Sequence, residues 1–362
     1  MIRVSLGTAA VLGLSPARVD APPRTAYILC GQGCALDCGF CPQARSSRSP
    51  RGLLSRVTWP EARLEEVVPR LAEAASRGLV GRACLQVVEG EEGRSEARRA
   101  LSALSEAARL PVSVSAAFAG PQPAKEWIRL GAERVGIPLD GASPAAFRLA
   151  RGGDFCRALA RVEAAARACP GRVSTHLIVG LGETDEELVR LLARLTAQGI
   201  AVGLFAFTPV RGTRLERLPP PPLKRYRRLQ AAHHLLRLVP QALSGLRFDG
   251  RGRLVGWGLS RKELEALLSP GDAFLTAGCP DCNRPYYNER PQGPIYNYPR
   301  PLSPREAAAA VALALAPAAG DGAGEEALEG AGDGGGEGAG GGAEPDGAGD
   351  ECRPEEAAGG GS

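Results

Sequence analysis

"CGQGCALDCGFCPQAR", Cys30 to Arg45, packs four of the chain's ten cysteines into twelve positions, directly after the apolar run Ala26-Tyr-Ile-Leu29. A short apolar run that meets a glycine-rich, cysteine-rich stretch predicts a strand ending in a loop that carries chemistry. Cys34, Cys38 and Cys41 have the spacing C-x3-C-x2-C. Three thiolates with no fourth close by suit a 4Fe-4S cluster in which one iron stays open to a small molecule. Structural zinc needs two paired Cys or Cys/His arms, and a dithiol redox site needs one C-x-x-C, so both fit this spacing less well.

Outward from that loop, short apolar or β-branched runs alternate with amphipathic segments, the pattern of repeated strand-helix units. Strands are expected to begin at Ala26, Ala83, Val112, Arg134, Val173, Val202, Leu246 and Ala273. Helical periodicity covers Pro60 to Arg77, Glu96 to Arg109, Thr184 to Gln198 and Pro222 to Val239. Eight such units predict an α/β fold, a (β/α)8 TIM-type barrel over residues 26–278, whose chemistry lies in the loops after the strands. Residues 1–25 read as an N-terminal extension packing on the barrel, in preference to the secretory signal they loosely imitate. Residues 279–315 read as a strap with a short helix, and 316–362 as a disordered, acidic, Gly-rich tail. From Pro317 the tail carries twelve acids against Arg353 alone, so the overall formal charge of +4 leaves the body near +15. A basic body favours an acidic partner. No run is long enough to span a bilayer, no nucleic-acid motif is present, and cysteines this sparse fit a reducing, cytoplasmic setting.

The three-cysteine loop, with the aromatic Phe40 before its last cysteine, resembles that of the radical S-adenosylmethionine (SAM) superfamily. "CGFCPQAR" at Cys38–Arg45 and "VSTHLIVGLGETDEEL" at Val173–Leu188 look like biotin synthase and its relatives. The resemblance implies that Cys34, Cys38 and Cys41 hold the cluster and that the methionine part of SAM chelates its open iron. Reductive cleavage of the C5′–S bond then gives methionine and a 5′-deoxyadenosyl radical, which abstracts hydrogen from an unactivated carbon. It further implies that Gly180, Gly182 and Glu183 approach the adenine, with Phe40 nearby, and that Asp140 contacts the ribose. The plainer reading of Gly182 and Glu183 is a strand end and a helix cap. The small-Gly-Glu motif common after the second strand is missing; "CLQVVEGEEG" stands there, and Glu89 and Glu91 receive no role.

Biotin synthase also holds a sulfur-donating cluster on cysteines of three inner strands plus an arginine. The matching positions here are Cys84, Ser113 and Ser174, with Arg247 for the arginine, so only one of the three thiols remains. Cys279-Pro-Asp-Cys282 follows the last expected strand, which would put both thiols at the catalytic face, level with Cys84. Cys84, Cys279 and Cys282 are expected to hold an auxiliary iron-sulfur cluster, with Cys30 or a serine hydroxyl as fourth ligand. A redox pair and a shared zinc knuckle are the alternatives. Cys156 and Cys169 sit in helical patterns as small apolar residues, and Cys352 is incidental. Beyond Cys282 lie Tyr286, Tyr287, Tyr296 and Tyr298 with Arg284, Arg290 and Arg300, among prolines that exclude a helix or central strand. This segment is expected to wrap the barrel mouth or to pack as a strap.

The combination looks like the biotin-synthase-related proteins that serve as two-component lipoyl synthases. What that implies is sulfur insertion into an octanoyl chain on an acidic lipoyl carrier protein, a second radical SAM subunit and a low-potential electron donor. The alternatives are a one-cluster mutase or metalloenzyme-maturation enzyme, and a non-catalytic iron-sulfur or zinc scaffold. His176 reads as a wall residue, and His233 and His234 as packing or surface residues.

Overall fold

The computed structural model describes residues 1–117, 120–289, 293–318 and Cys352. Arg290 and nearly all of the expected acidic tail lie outside the described residues. The chain begins with β1 (Ile2–Val4), α1 (Leu6–Val11) and β2 (Thr25–Cys30). Three two-residue strands follow, β3 (Leu53–Leu54), β4 (Val57–Thr58) and β5 (Glu61–Ala62). Alternation then sets in: α2 (Leu64–Ser76), β6 (Arg82–Val87), α3 (Glu91–Ala107), β7 (Val112–Ser115), α4 (Pro121–Arg129) and β8 (Arg134–Gly136). It continues with α5 (Pro144–Ala150), α6 (Phe155–Ala168), β9 (Val173–Val179), α7 (Asp185–Ala197), β10 (Ala201–Ala206) and α8 (Leu223–Leu238). The hairpin β11 (Arg247–Phe248) and β12 (Leu254–Gly256), α9 (Arg261–Leu268) and α10 (Pro304–Ala314) complete the described elements.

The α/β barrel-type architecture is present: β2, β6, β7, β8, β9 and β10 pair in chain order, all parallel, with helices as crossovers. On the far edge of β2, β1 pairs antiparallel, with Arg3 opposite Leu29, and β5 pairs with β1. Every residue of β2 is buried, as a parallel strand covered on both faces requires. The helices turn their apolar stripes onto the outer face of the sheet, where Leu71, Leu101, Leu104, Leu188, Leu192 and Leu229 join Ile28, Leu85 and Val114 in one core.

The last two expected strands are different. Leu246 leads into the β11–β12 hairpin outside the main sheet, and Ala273 lies in a 3-10 turn, Asp272–Phe274. The strap takes their place, lying across the inner face from β2 to β10. At the start of β2, Thr25 Oγ1 donates to Asp281 O (2.9 Å), and Arg82 Nε donates to Pro280 O (3.0 Å). Further on, Asn288 Nδ2 donates to Ala206 O at the end of β10 (3.0 Å). The described part of the segment therefore climbs the inside of the wall and reaches the strand ends at Tyr287 and Asn288. Cys352, expected to be incidental, is disulfide-bonded to Cys156 of α6. Among the described residues no helix is long and apolar enough to cross a membrane.

His233 is buried on α8, and that burial, with Arg237 and His234 adding to it, pushes its imidazole down to about 3. A histidine titrating lower when folded than when unfolded leaves the unfolded chain holding the extra proton between those two values. Stability is thus full above about pH 6.5, the ordinary histidine value, and is lost as pH falls from there toward 3. In urea titrations His233→Gln should shed up to about 1.4 kcal/mol of stability loss per pH unit in that window. An unchanged acid slope would contradict the buried, neutral imidazole.

Candidate active site

Strand parity decides which residues face inward. Side chains two apart share a face, so Thr25, Tyr27 and Leu29 of β2 line the interior while Ala26, Ile28 and Cys30 face the helices. Sheet register then sets Tyr27 beside Cys84 and Cys84 beside Ser113 in one row across β2, β6 and β7. Ser174, His176 and Phe205 face inward from β9 and β10. These residues border a cavity of about 270 Å³ that also receives Cys34, Cys38 and Cys41 from the loop after β2, and Cys279 and Cys282 from the strap.

The cysteine loop is wound by its own backbone. Cys34 N donates to Gln43 O (3.3 Å), Cys41 N to Cys38 O (3.1 Å) and Ala44 N to Cys41 O (3.0 Å). Buried Gln43 pins the loop by donating to Arg51 O (2.8 Å) and Leu53 O (2.6 Å). Burial raises the Cys38 thiol to about 11 despite nearby Arg151, and the Cys41 thiol to about 12 with Cys38 adding to it. Thiols held protonated by burial become ligands when a metal displaces the protons. Three soft donors on one short loop at a cavity wall fit a 4Fe-4S cluster with an open iron.

Asp140 lines the same cavity at φ 65° and accepts from Arg151 Nη1 at 2.7 Å. Burial raises its carboxyl and the Arg151 guanidinium opposes that rise. Phe40 borders the cavity and packs with Ile178 and Phe207. Gly180, Gly182 and Glu183 are not among the cavity-lining residues. Glu183 folds back on its own turn, accepting from Gly180 N (2.8 Å) and Leu181 N (2.9 Å), and pairs with Arg225 at 3.2 Å. Gly180 at φ 103° and Gly182 at φ 96° take backbone angles open mainly to glycine. Thr184 and Glu187 then form a capping box that starts α7.

The deeper thiols Cys84, Cys279 and Cys282 border the same cavity, but not at the level expected. Cys84 is the third residue of six-residue β6, so the group sits inside the barrel below the loops, not at the strand ends. Burial raises the Cys84 thiol well above its ordinary value, with Cys279 and Cys282 next in effect. Cys279 Sγ lies 3.7 Å from Ser174 Oγ, and Cys282 Sγ lies 3.5 Å from the Tyr27 hydroxyl, which also accepts from Arg284 N at 2.9 Å. The strap thus brings thiols to a wall that carries Ser113 and Ser174. Arg82, itself buried, ties strap to wall by donating to Ser113 Oγ (2.9 Å) as well as to Pro280 O. Among the described residues no three His, Cys, Asp or Glu side chains are closed into a ligand shell, and this holds for both thiol sets alike.

Two expected residues are elsewhere. Cys30 faces outward into the helix-sheet core, its thiol raised to about 12 by burial and then by Glu96, and does not reach the deeper thiols. Arg247 is exposed on β11; Arg82, Arg151 and Arg284 border the cavity instead, with Arg284 stacked over Phe205 at 3.8 Å. Nothing in the sequence signalled Arg82 or Arg151 at the site, and Arg284 was marked only as part of the strap. The signal for Tyr27 was its parity with Thr25 and Leu29 rather than with Cys30. His176 stands edge-on to Phe205 at 5.2 Å, and burial, followed by Arg284 and Arg151, pushes its imidazole down to about 3.

Residues 28–195, from β2 to α7, match the family model described as the radical SAM superfamily. The chain belongs to that superfamily, as a biotin-synthase-related member. It is 33% identical over 217 residues to a biotin synthase from a Synechococcus strain, covering 56% of this chain and 66% of the relative. It is 30% identical over 227 residues to the ribosomal protein uS12 methylthiotransferase RimO of Thermus thermophilus, covering 58% of this chain and 52% of the relative. The chain therefore spans about two thirds and about half the length of these two relatives. Among solved structures, methylornithine synthase (PylB) aligns with a TM-score of 0.43 at 16% identity, covering 60% of this chain and 62% of that one.

Cys30→Ala should retain the iron that anaerobic reconstitution gives the wild type, while losing about 1 kcal/mol of stability as a small buried side chain is trimmed. Iron loss as deep as in Cys38→Ala would contradict the outward placement of Cys30.

Proposed function

We propose that this protein is a radical SAM enzyme that inserts sulfur into an unactivated carbon. The reading extends to the carbon of an octanoyl chain on an acidic lipoyl carrier domain. The observation that carries it is a single cavity bordered by two thiol sets, Cys34, Cys38 and Cys41 on the loop side and Cys84, Cys279 and Cys282 deeper in the barrel. When bound, the loop cluster and SAM supply an electron-driven C5′–S cleavage and a hydrogen-abstracting deoxyadenosyl group. The chain's own part is to hold, orient and exclude water. Asp140 and its partner Arg151 offer a buried charge pair beside Cys38, where a nucleoside and amino-acid cofactor has polar groups to satisfy. Around the deeper thiols, Arg284 supplies positive charge and Tyr27 a hydroxyl beside Cys282. Thiolates so placed fit a second iron-sulfur group that serves as the sulfur source.

A one-cluster mutase or maturation activity is the second reading. It is favoured by Ser113 and Ser174 standing at two of the three inner-wall positions matched to biotin synthase cysteines, and by the Cys279 thiol already hydrogen-bonded to Ser174.

The two readings separate in a reconstituted reaction with SAM, a reductant and an octanoylated lipoyl domain. Wild type should release 5′-deoxyadenosine and sulfurated carrier. Cys38→Ala should release neither above background, whereas Cys279→Ala/Cys282→Ala should keep deoxyadenosine release and lose sulfuration. Undiminished cleavage in Cys38→Ala would overturn the assignment of Cys34, Cys38 and Cys41 to the cluster, and undiminished sulfuration in the double variant would overturn the second thiol set as sulfur source.

A further inference from the structure

Cys156 and Cys352 form a disulfide away from both thiol sets of the cavity. Cys156 is the second residue of α6, whose N-cap Asp154 accepts from Arg157 N at 3.0 Å. Five residues earlier in the chain stands Arg151, the cavity partner of Asp140, and Gly152 and Gly153 turn the backbone between them at φ 73° and 83°. Cys352 has a prepared seat. It packs on the helical core, and its carbonyl accepts from Arg194 Nη1 of α7 at 2.9 Å. Arg194 is itself held by buried Glu163 of α6 (Nε to Oε1, 2.6 Å), which also accepts from Gln198 Nε2 at 2.7 Å. Withdrawal of Cys352 leaves Arg194 and Glu163 paired, so opening the cross-link strands no buried charge.

We propose that Cys156 and Cys352 are a reversible thiol–disulfide site, opened by a low-molecular-weight thiol and closed by its disulfide, that fastens or releases the acidic C-terminal segment at the α6–α7 face. Three features select exchange over a permanent staple. Both residues are half-buried rather than sealed in the core, so a small thiolate reaches the sulfur. Cys156 lies in the first turn of a 14-residue helix, whose N-terminal amides favour the thiolate that departs when Cys352 is attacked. An enzyme that reductively cleaves SAM works in a reducing medium, where the disulfides that form are transient. The segment so fastened, residues 319–351, carries ten acids and no base.

The exchange balances in two steps. A thiolate bonds to Cys352 Sγ as the S–S bond breaks, and the electron pair leaves with Cys156 Sγ, which takes a proton. A second thiolate attacks the small-molecule sulfur of the mixed disulfide, and Cys352 departs as a thiolate that is protonated in turn. Two small thiols are oxidised to one disulfide, and one protein disulfide is reduced to two thiols.

The proposal goes beyond sulfur insertion, and its test uses no enzymatic readout, so the two stand or fall separately. The full chain, reconstituted anaerobically, is equilibrated without denaturant in glutathione buffers from mostly disulfide to mostly thiol. Each sample is quenched in acid, alkylated and mapped by peptide mass. The Cys156–Cys352 pair should dominate in the oxidised buffer and fall about tenfold or more in the reduced one, with both residues then alkylated. In Cys156→Ser, Cys352 should be paired with no other cysteine of the chain in any buffer. A pair that persists in the thiol-rich buffer until the protein is denatured would mark a permanent staple and overturn the proposal. Both thiols alkylated in every buffer, or Cys352 paired with another cysteine of the chain, would overturn it as well.

Discussion

The buried guanidinium of Arg82 holds together the two parts of the interior. It sits at the start of β6 and joins Ser113 of the neighbouring strand, Glu133 at 2.6 Å and the carbonyl of Pro280. Without that tie, a segment that carries only the isolated Leu275–Tyr298 bridge among the described residues would have to stay inside a barrel at the cost of its backbone freedom. With it, and with Tyr27 receiving the amide of Arg284, the strap is fixed where Cys279 and Cys282 face Cys84. Truncating Arg82 would also strand buried polar partners, which is why such ties are sensitive to single substitutions.

Burial holds four of the interior thiols, Cys38, Cys41, Cys84 and Cys282, protonated until something displaces their protons. Burial is the first cause of the rise for Cys38, Cys41, Cys84 and Cys282 alike; nearby guanidinium groups oppose it at Cys38, Cys84 and Cys282, and a backbone hydrogen bond at Gln43 opposes it at Cys41. Ligand binding to such thiols releases protons and links occupancy to pH.

Much of this was legible in the sequence where a local rule governs it. The strands beginning near Ala26, Ala83, Val112, Arg134, Val173 and Val202 and the helices between them follow from periodicity, and Thr184 with Glu187 announces its cap. The runs at Leu246 and Ala273 carry the same local signal, yet the strap occupies their place through hydrogen bonds between residues some 80 to 260 apart in sequence, which no window can register. Cys30 illustrates a narrower failure: it was expected as a fourth ligand beside Cys84, Cys279 and Cys282, while alternation along β2 sends it to the opposite face. Arg284, on the strap, borders the cavity, whereas Arg247 lies on the hairpin outside the main sheet. Cys156 and Cys352 lie 196 residues apart, and nothing in either neighbourhood marks them as a pair.

The central claim is that the strap delivers thiols for a second iron-sulfur group. Iron and acid-labile sulfide per chain after anaerobic reconstitution, in wild type and in Cys279→Ala/Cys282→Ala, address it most directly. About eight irons in the wild type and about four in the double variant are the expected values for two four-iron clusters losing one. About four in both proteins would contradict the claim and leave Cys279 and Cys282 as a structural pair.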